Sequence, residues 1–366
     1  MFITKNKLRP GMILSKNIYD NYDFNMVLLA KGQILNDHYI KKIYDYGIEG
    51  AFIKNNAFSD LEFEPEIDAR LEAKALNEVR ELFSGLYRNK GHVSQSSILG
   101  ISEVVDELIA DISYKKELTT DIIDFKHHDE YTYQHCLSVA NLSISTGIAM
   151  GLDRNSLHDL GMAGFLHDIG KTLIPLEIIN KPGKLTPEEF DIIKMHPSNG
   201  VRMLKGLVSE EILEAIMCHH EKEDGSGYPN GIYQDDIPFY SKILSICDVY
   251  HALSSDRSYR KTCFPNEVME YLMGCADSHF NYDILRVFLK NIVAFPVGTF
   301  VKLSNGMIGV VIKNYADNNM RPIVRTVNQD NTVGEDIDLF GDYRYTNTTI
   351  VDMAYDAAAI DFVNIK

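Results

Sequence analysis

The chain has 366 residues, 45% of them hydrophobic and 24% charged, ordinary values for a globular protein long enough for two or three domains. Its formal net charge of −16 argues against a duplex nucleic-acid surface, which needs a basic footprint. A small anionic ligand stays open, because a metal ion and a few arginines can set the local field.

Residues 1–58 read as a β-rich regulatory module. MFITKNKLRPGMILSKNIYD holds short apolar runs around a Pro10-Gly11 turn, and VLLAKGQIL reads as a strand pair around Lys31-Gly32. HYIKKIYDYGI reads as a short helix ending at Gly47, and EGAFIK as a last strand. Residues 59–115 read as a helical linker. There EIDARLEAKALNEVRELFSGLY carries apolar residues at helical spacing, which predicts a connecting or homodimer-forming helix over 66–87. A second helix is predicted at 97–115.

Residues 116–294 read as a string of helices punctuated by Pro175, Pro182-Gly183, Pro187 and Pro197. In TPEEFDIIKMH, Thr186 is placed to cap, Pro187 takes the first helical position and Glu189 follows the cap by three. From Phe295 the pattern alternates. PVGTFVKLSNGMIGVVIKNY turns at Asn305-Gly306, a hairpin signal, so residues 295–366 read as a C-terminal β-rich module. The expected fold class is therefore mainly α, a helical bundle flanked by small N-terminal and C-terminal β-rich modules.

No run of about 18 apolar residues occurs, so no membrane span is expected. The opening MFITKNKLRPGM lacks an apolar signal core. The five cysteines are odd in number and include no CxxC pair, which fits a reducing cytoplasm. Cys136, Cys218 and Cys247 each adjoin a candidate ligand, but neighbours on a helix point about 100° apart, so these thiols are expected in the core.

The chemistry-bearing residues fall in one order: His135, the pair His167-Asp168, His196, the pair His219-His220, and Asp248. Five imidazoles and two carboxylates suit divalent transition metals without any thiolate. His38, His92, His158 and His279 sit in no motif, and His127 and His128 precede the first one. After the paired histidines comes EKEDGSGYP, where Gly227 permits close backbone approach.

Taken together, His135, HD at 167–168, HH at 219–220, GYP at 227–229 and Asp248 resemble the HD-GYP family over roughly residues 125–295. These are metal-dependent phosphodiesterases of the HD superfamily that cleave cyclic di-GMP in bacteria. The resemblance implies an HD-type helical bundle and two divalent ions, Fe or Mn first, with Zn, Ni or Mg as alternatives. Asp168 would bridge them. His135, His167 and Asp248 would complete one ligand set, and His196, His219 and His220 the other. Lys171, three residues after Asp168, would point back to the metals and steady a phosphate oxygen. Gly227 and Tyr228 would approach the substrate, and Arg257 and Arg260 would grip phosphate or guanine.

One departure stands out: the family's D-x-x-D-A-L reads DVYHAL here, with His251 in place of an aspartate. Some members hold a third metal through a glutamate four residues before the first histidine. That position is Tyr131 here, and Glu130 lies five back, about 140° around a helix. Tyrosine is a poor ligand with an ordinary pKa near 10, so two metals are expected. The implied function is hydrolysis of cyclic di-GMP to pGpG or GMP. A non-catalytic cyclic-dinucleotide sensor, or an HD nucleotidase acting on another nucleotide, are the alternatives.

Overall fold

A computed structural model describes residues 2–20, 26–48, 50–54, 67–88, 91–114, 128–181, 183–254, 264–315, 318–328 and 332–354. They fall into two compact units, one built from residues 1–73 with 292–366, the other from 74–118 with 122–291.

The first unit is β-rich. Strands β1 (Phe2–Thr4) and β4 (Gly50–Phe52) pair antiparallel, as do β2 (Ile18–Tyr19) and β3 (Val27–Leu29). The strand pair expected around Lys31-Gly32 does not close on itself. Val27–Leu29 pairs with Ile18–Tyr19 and Ile34 bridges Ile13, so both arms lie against the preceding segment, whose apolar residues they cover. Helix α1 (Asp37–Asp45) starts where Asn36 accepts from the Tyr39 amide at 2.8 Å. Strands β5 (Phe300–Leu303), β6 (Ile308–Tyr315), β7 (Asn318–Val327), β8 (Val333–Asp338) and β9 (Ile350–Met353) form one antiparallel sheet in the order β8-β7-β6-β5-β9. Asn305-Gly306 makes the β5–β6 turn, with the Leu303 amide donating to Met307 O at 2.8 Å. The two ends of the chain, expected as separate modules, share one core: Ile3, Leu14, Leu35 and Ile43 are buried together with Phe300 and Val310.

The second unit is helical: α2 (Ala69–Arg88), α3 (Gln95–Tyr114), α4 (His128–Ala149), α5 (Arg154–Leu166), α6 (Leu176–Ile179), α7 (Pro187–Ile193), α8 (His196–Leu204), α9 (Glu210–Cys218), α10 (Phe239–Ser254), α11 (Pro265–Gly274) and α12 (Tyr282–Asn291). The Thr186 capping box forms as read from the sequence, at the start of α7. On α2 the apolar stripe Ala75, Val79, Leu82, Phe83 and Leu86 is buried within the chain itself, with Phe83 against Tyr133 at 5.6 Å between ring centroids. The homodimer expected through the 66–87 helix therefore loses the apolar seam that suggested it.

Two glycines bring the site-bearing helices together. A Cβ on Gly164 of α5 would lie 2.5 Å from Ala140 Cα of α4. One on Gly170, in the 3-10 turn after α5, would lie 2.0 Å from His196 O at the start of α8. No larger residue fits either crossing, and their result is that His135, His167, Asp168 and His196 converge.

Candidate metal centre

Each candidate ligand sits at a defined place on a helix or its end. His135 projects from the second turn of α4 and Asp248 from the middle of α10. His167 ends α5 and Asp168 follows it, His196 opens α8, and His219-His220 follow the last residue of α9. His135, His167, Asp168, His196, His219 and Asp248 are all buried, and the His220 side chain is 20% exposed.

Three of the imidazoles are oriented by the same device. Nδ1 of His167 lies 2.8 Å from Gly164 O, that of His196 2.8 Å from Ile193 O, and that of His219 2.7 Å from Ile216 O. A carbonyl can only accept, so each Nδ1 carries the proton and donates it, which leaves each neutral ring with a bare lone pair on Nε2. The Nε2 atoms of His196 and His219 then face each other at 3.3 Å with no proton between them. Two lone pairs in that position repel, and a cation between them removes the repulsion. The Nε2 atoms of His135 and His167 also face each other, at 3.2 Å.

Asp168 stands between the two groups. Its Oδ2 is 3.4 Å from His167 Nε2 and 3.6 Å from His135 Nε2, while its Oδ1 is 3.4 Å from His196 Nε2. That Oδ1 is buried and has no hydrogen-bond partner among the described residues, a costly state for an ionised oxygen unless a cation meets it. Asp248 closes the other side, with Oδ1 3.2 Å from His135 Nε2 and Oδ2 4.0 Å from His220 Nδ1. Two sets of ligand atoms, His135-His167-Asp168 and His196-His219-His220, are each close enough to share one ion.

The protonation states suit that use. Burial pushes the His196 imidazole down to about 4 and that of His220 to about 3, and puts His219 well below its ordinary value. Burial also lowers His135, against the pull of Asp248. For His167 burial is the largest influence and acts downward, yet the carboxylates of Asp168 and Asp248 outweigh it and the ring is held above 6.5. The proton held there occupies ground a divalent ion would take. Burial presses both carboxyls upward, but Lys171 and His167 keep Asp168, and His135 keeps Asp248, well below the ordinary carboxylate range. Neutral imidazoles and ionised carboxylates are the donor forms a divalent metal requires.

Lys171 points back as the sequence suggested, donating from Nζ to Asp168 Oδ2 at 2.6 Å. Gly227 packs closely on its own chain: a Cβ there would meet Glu221 Cα at 2.5 Å and His220 O at 2.6 Å. Beside that crossing the Tyr228 ring stacks on His220, 4.7 Å between centroids and 27° between planes. Arg257 and Arg260 lie outside the described residues. Glu130 and Tyr131 fall within α4, whose start at His128 makes the helical offset from His135 apply to the backbone there.

Two residues at the site were not assigned from the sequence. Buried Glu221 accepts from the Asn230 and Gly231 amides at 2.7 and 3.2 Å, pinning the end of the GYP loop to the residue after the paired histidines. A carboxylate between two histidines and a turn was the available signal. His251, noted only as a departure, places its Nδ1 2.9 Å from Nδ1 of His135. Cys136 and Cys247 are fully buried and Cys218 nearly so. Burial raises their thiols, Cys218 and Cys247 to about 12, and inert core cysteines result.

Residues 117–284, a little under half of the chain, match the sequence model of the HD domain. A domain of that family implies divalent metal binding, and the two clusters supply ligands for it. The chain is 37% identical over 226 residues to a cyclic di-GMP phosphodiesterase of Pseudomonas aeruginosa, covering 61% of this chain and 54% of that protein. It is 38% identical over 144 residues to a 3′3′-cGAMP-specific phosphodiesterase of Vibrio cholerae, covering 38% of this chain and 28% of that one. It thus spans about half or less of these curated relatives. A solved structure of an HDG"Y"P protein from Bdellovibrio bacteriovorus aligns with 79% of this chain and 97% of its own, at 16% identity and a TM-score of 0.49. No helix among the described residues is long and apolar enough to cross a membrane.

Proposed function

We propose that the chain is a metal-dependent phosphodiesterase that hydrolyses cyclic di-GMP to pGpG or GMP. The observation that carries the reading is the buried carboxylate of Asp168, whose two oxygens face two separate groups of inward-turned histidine Nε2 atoms. Asp168 would be shared by two divalent ions, Fe or Mn first as the resemblance implies, with a donor set of imidazoles and carboxylates that suits such metals. His135, His167 and Asp248 would complete one set, and His196, His219 and His220 the other. Bound there, the ions supply a water acidic enough to attack at neutral pH and neutralise charge on the leaving oxygen.

The chain's own residues do the rest. The three carbonyl-held imidazoles keep their lone pairs aimed inward without reorganisation. Lys171, with its side chain 35% exposed, stands at the edge of the cluster where a phosphate oxygen can replace Asp168 as its partner. Tyr228 is stacked on His220 beside the cluster, and Arg257 and Arg260 are proposed to hold phosphate or a guanine edge. The likeness to a 3′3′-cGAMP-specific relative makes the mixed dinucleotide the second substrate reading.

The test uses anaerobically purified protein of measured metal content, offered cyclic di-GMP, pGpG and 3′3′-cGAMP side by side. Turnover of cyclic di-GMP that disappears on chelation and returns with ferrous or manganous ion is the expected result. A metal-loaded protein that binds cyclic di-GMP without cleaving it would replace the enzyme reading with that of a sensor. Cleavage of none of the three, with turnover of another nucleotide, would replace it with that of a nucleotidase.

A further inference from the structure

His135 differs from its neighbours in how its ring is held. His167, His196 and His219 each sit where a helix begins or ends and give Nδ1–H to the carbonyl three residues back. His135 lies within α4, where the backbone carbonyls serve the helix. Its Nδ1 instead meets a side chain, His251 Nδ1, at 2.9 Å, the rings tilted 47° with centroids 5.0 Å apart. His251 stands three residues after Asp248 on α10, so one helix face presents both residues to His135.

Two proton arrangements fit these distances. In one, His135 carries its proton on Nε2 and donates to Asp248 Oδ1 at 3.2 Å, which occupies the atom that faces the cluster. In the other, Nδ1 carries the proton and donates to His251 Nδ1, and Nε2 is left bare toward His167 and Asp168. Only the second lets His135 act as a ligand. It requires that His251 be neutral with its own proton on Nε2.

We propose that His251 is the positioning residue that selects the metal-ligating tautomer of His135, a histidine in the outer shell accepting from a histidine in the inner one. The inference rests on the metal-centre reading given above. It assigns His251 no contact with substrate. A partner that fixes a ligand's tautomer and orientation affects metal affinity, and its loss weakens binding by about 10–100-fold.

The experiment compares the full chain with His251→Leu, which removes the acceptor, and His251→Asp, which keeps one. Ferrous or cobaltous ion is titrated anaerobically against a competing chelator. Far-ultraviolet circular dichroism of the metal-free chains checks folding. The wild-type chain is expected to take two ions. His251→Leu is expected to hold one of them about 10–100-fold more weakly and the other unchanged, and His251→Asp to bind both at least as tightly as wild type. Should the leucine chain not fold, His251→Lys, which offers donors only, takes its place with the same expected loss. Two ions bound at wild-type affinity by the acceptor-less variant overturn the role of His251 and leave the metal centre standing. An equal loss in His251→Asp overturns it as well, because the acceptor would then not be what matters. A wild-type chain that takes up no divalent ion overturns the metal centre itself, and this inference with it.

Discussion

Gly227→Ala tests whether the GYP loop shapes the metal centre through the backbone. The added methyl would meet three main-chain groups at once: Glu221 Cα at 2.5 Å, His220 O at 2.6 Å and Lys222 N at 2.6 Å. None can rotate away, and real contacts of this kind essentially never fall under 3.0 Å, so the two strands of chain must part by about half an ångström. Overpacking of this sort costs about 1–3 kcal/mol. Because His220 is on the displaced strand and Tyr228 stacks upon it, the movement reaches the ligand set, whose tolerance is about 0.5 Å. The assay is urea unfolding of the metal-free chain alongside chelator-competed metal titration. The expected result is a lower midpoint with weakened binding at the His196-His219-His220 group. Gly85→Ala is the control: it lies in α2 with nothing near its Cβ, and should gain up to about 1 kcal/mol from helix propensity. A Gly227→Ala chain as stable as its parent and fully able to bind metal would refute the argument.

Asp168→Ala should lose both ions and all turnover while retaining its helical content, since the one carboxylate serves both groups; metal analysis showing one ion kept with most activity would end the bridging assignment. Metal content of the loaded wild-type chain should be two ions per chain, and a third well-occupied ion held by Glu130 would contradict the offset argued for α4. The stability of the metal-free chain should fall as pH drops from 6.5 toward 4. In that window the unfolded chain protonates histidines that the fold keeps neutral, His196 with its value near 4 and His220 near 3. His167, held above 6.5, works in the opposite sense but stands alone against His135, His196, His219 and His220, so urea midpoints flat or rising over that range would reject this account.

Much of the site was legible because its residues are rare types in fixed order. HD, HH and GYP mark themselves, and each of the seven candidate ligands reaches one locality. Lys171 also turned back as its three-residue offset from Asp168 implied. What stayed hidden depended on distance in space. Nothing in DVYHAL says that His251 touches His135, since the contact depends on how α4 crosses α10. Nothing in GSGYP says whether its glycine admits a ligand or the chain's own backbone, which is decided by where Glu221 lies. The α2 stripe read correctly as one apolar face, but a periodic pattern does not name the surface that covers it. The strand pairing around Lys31-Gly32 failed for the same reason: a turn signal fixes the bend, and the better apolar partner was the segment before it.

The shared core of the two terminal segments carries a consequence for how the chain is made. Ile3, Leu14, Leu35 and Ile43 must wait for Phe300 and Val310 before their core is complete, so the β-rich unit stays open during synthesis of the entire helical stretch. Long-range closure of that kind is slow, and apolar surface left waiting is prone to stray association. The helical unit, drawn from residues 74–118 and 122–291, has no such delay. The helical part is thus made before the last strands of the β-rich part, and a deletion in either segment of the shared core disturbs the other.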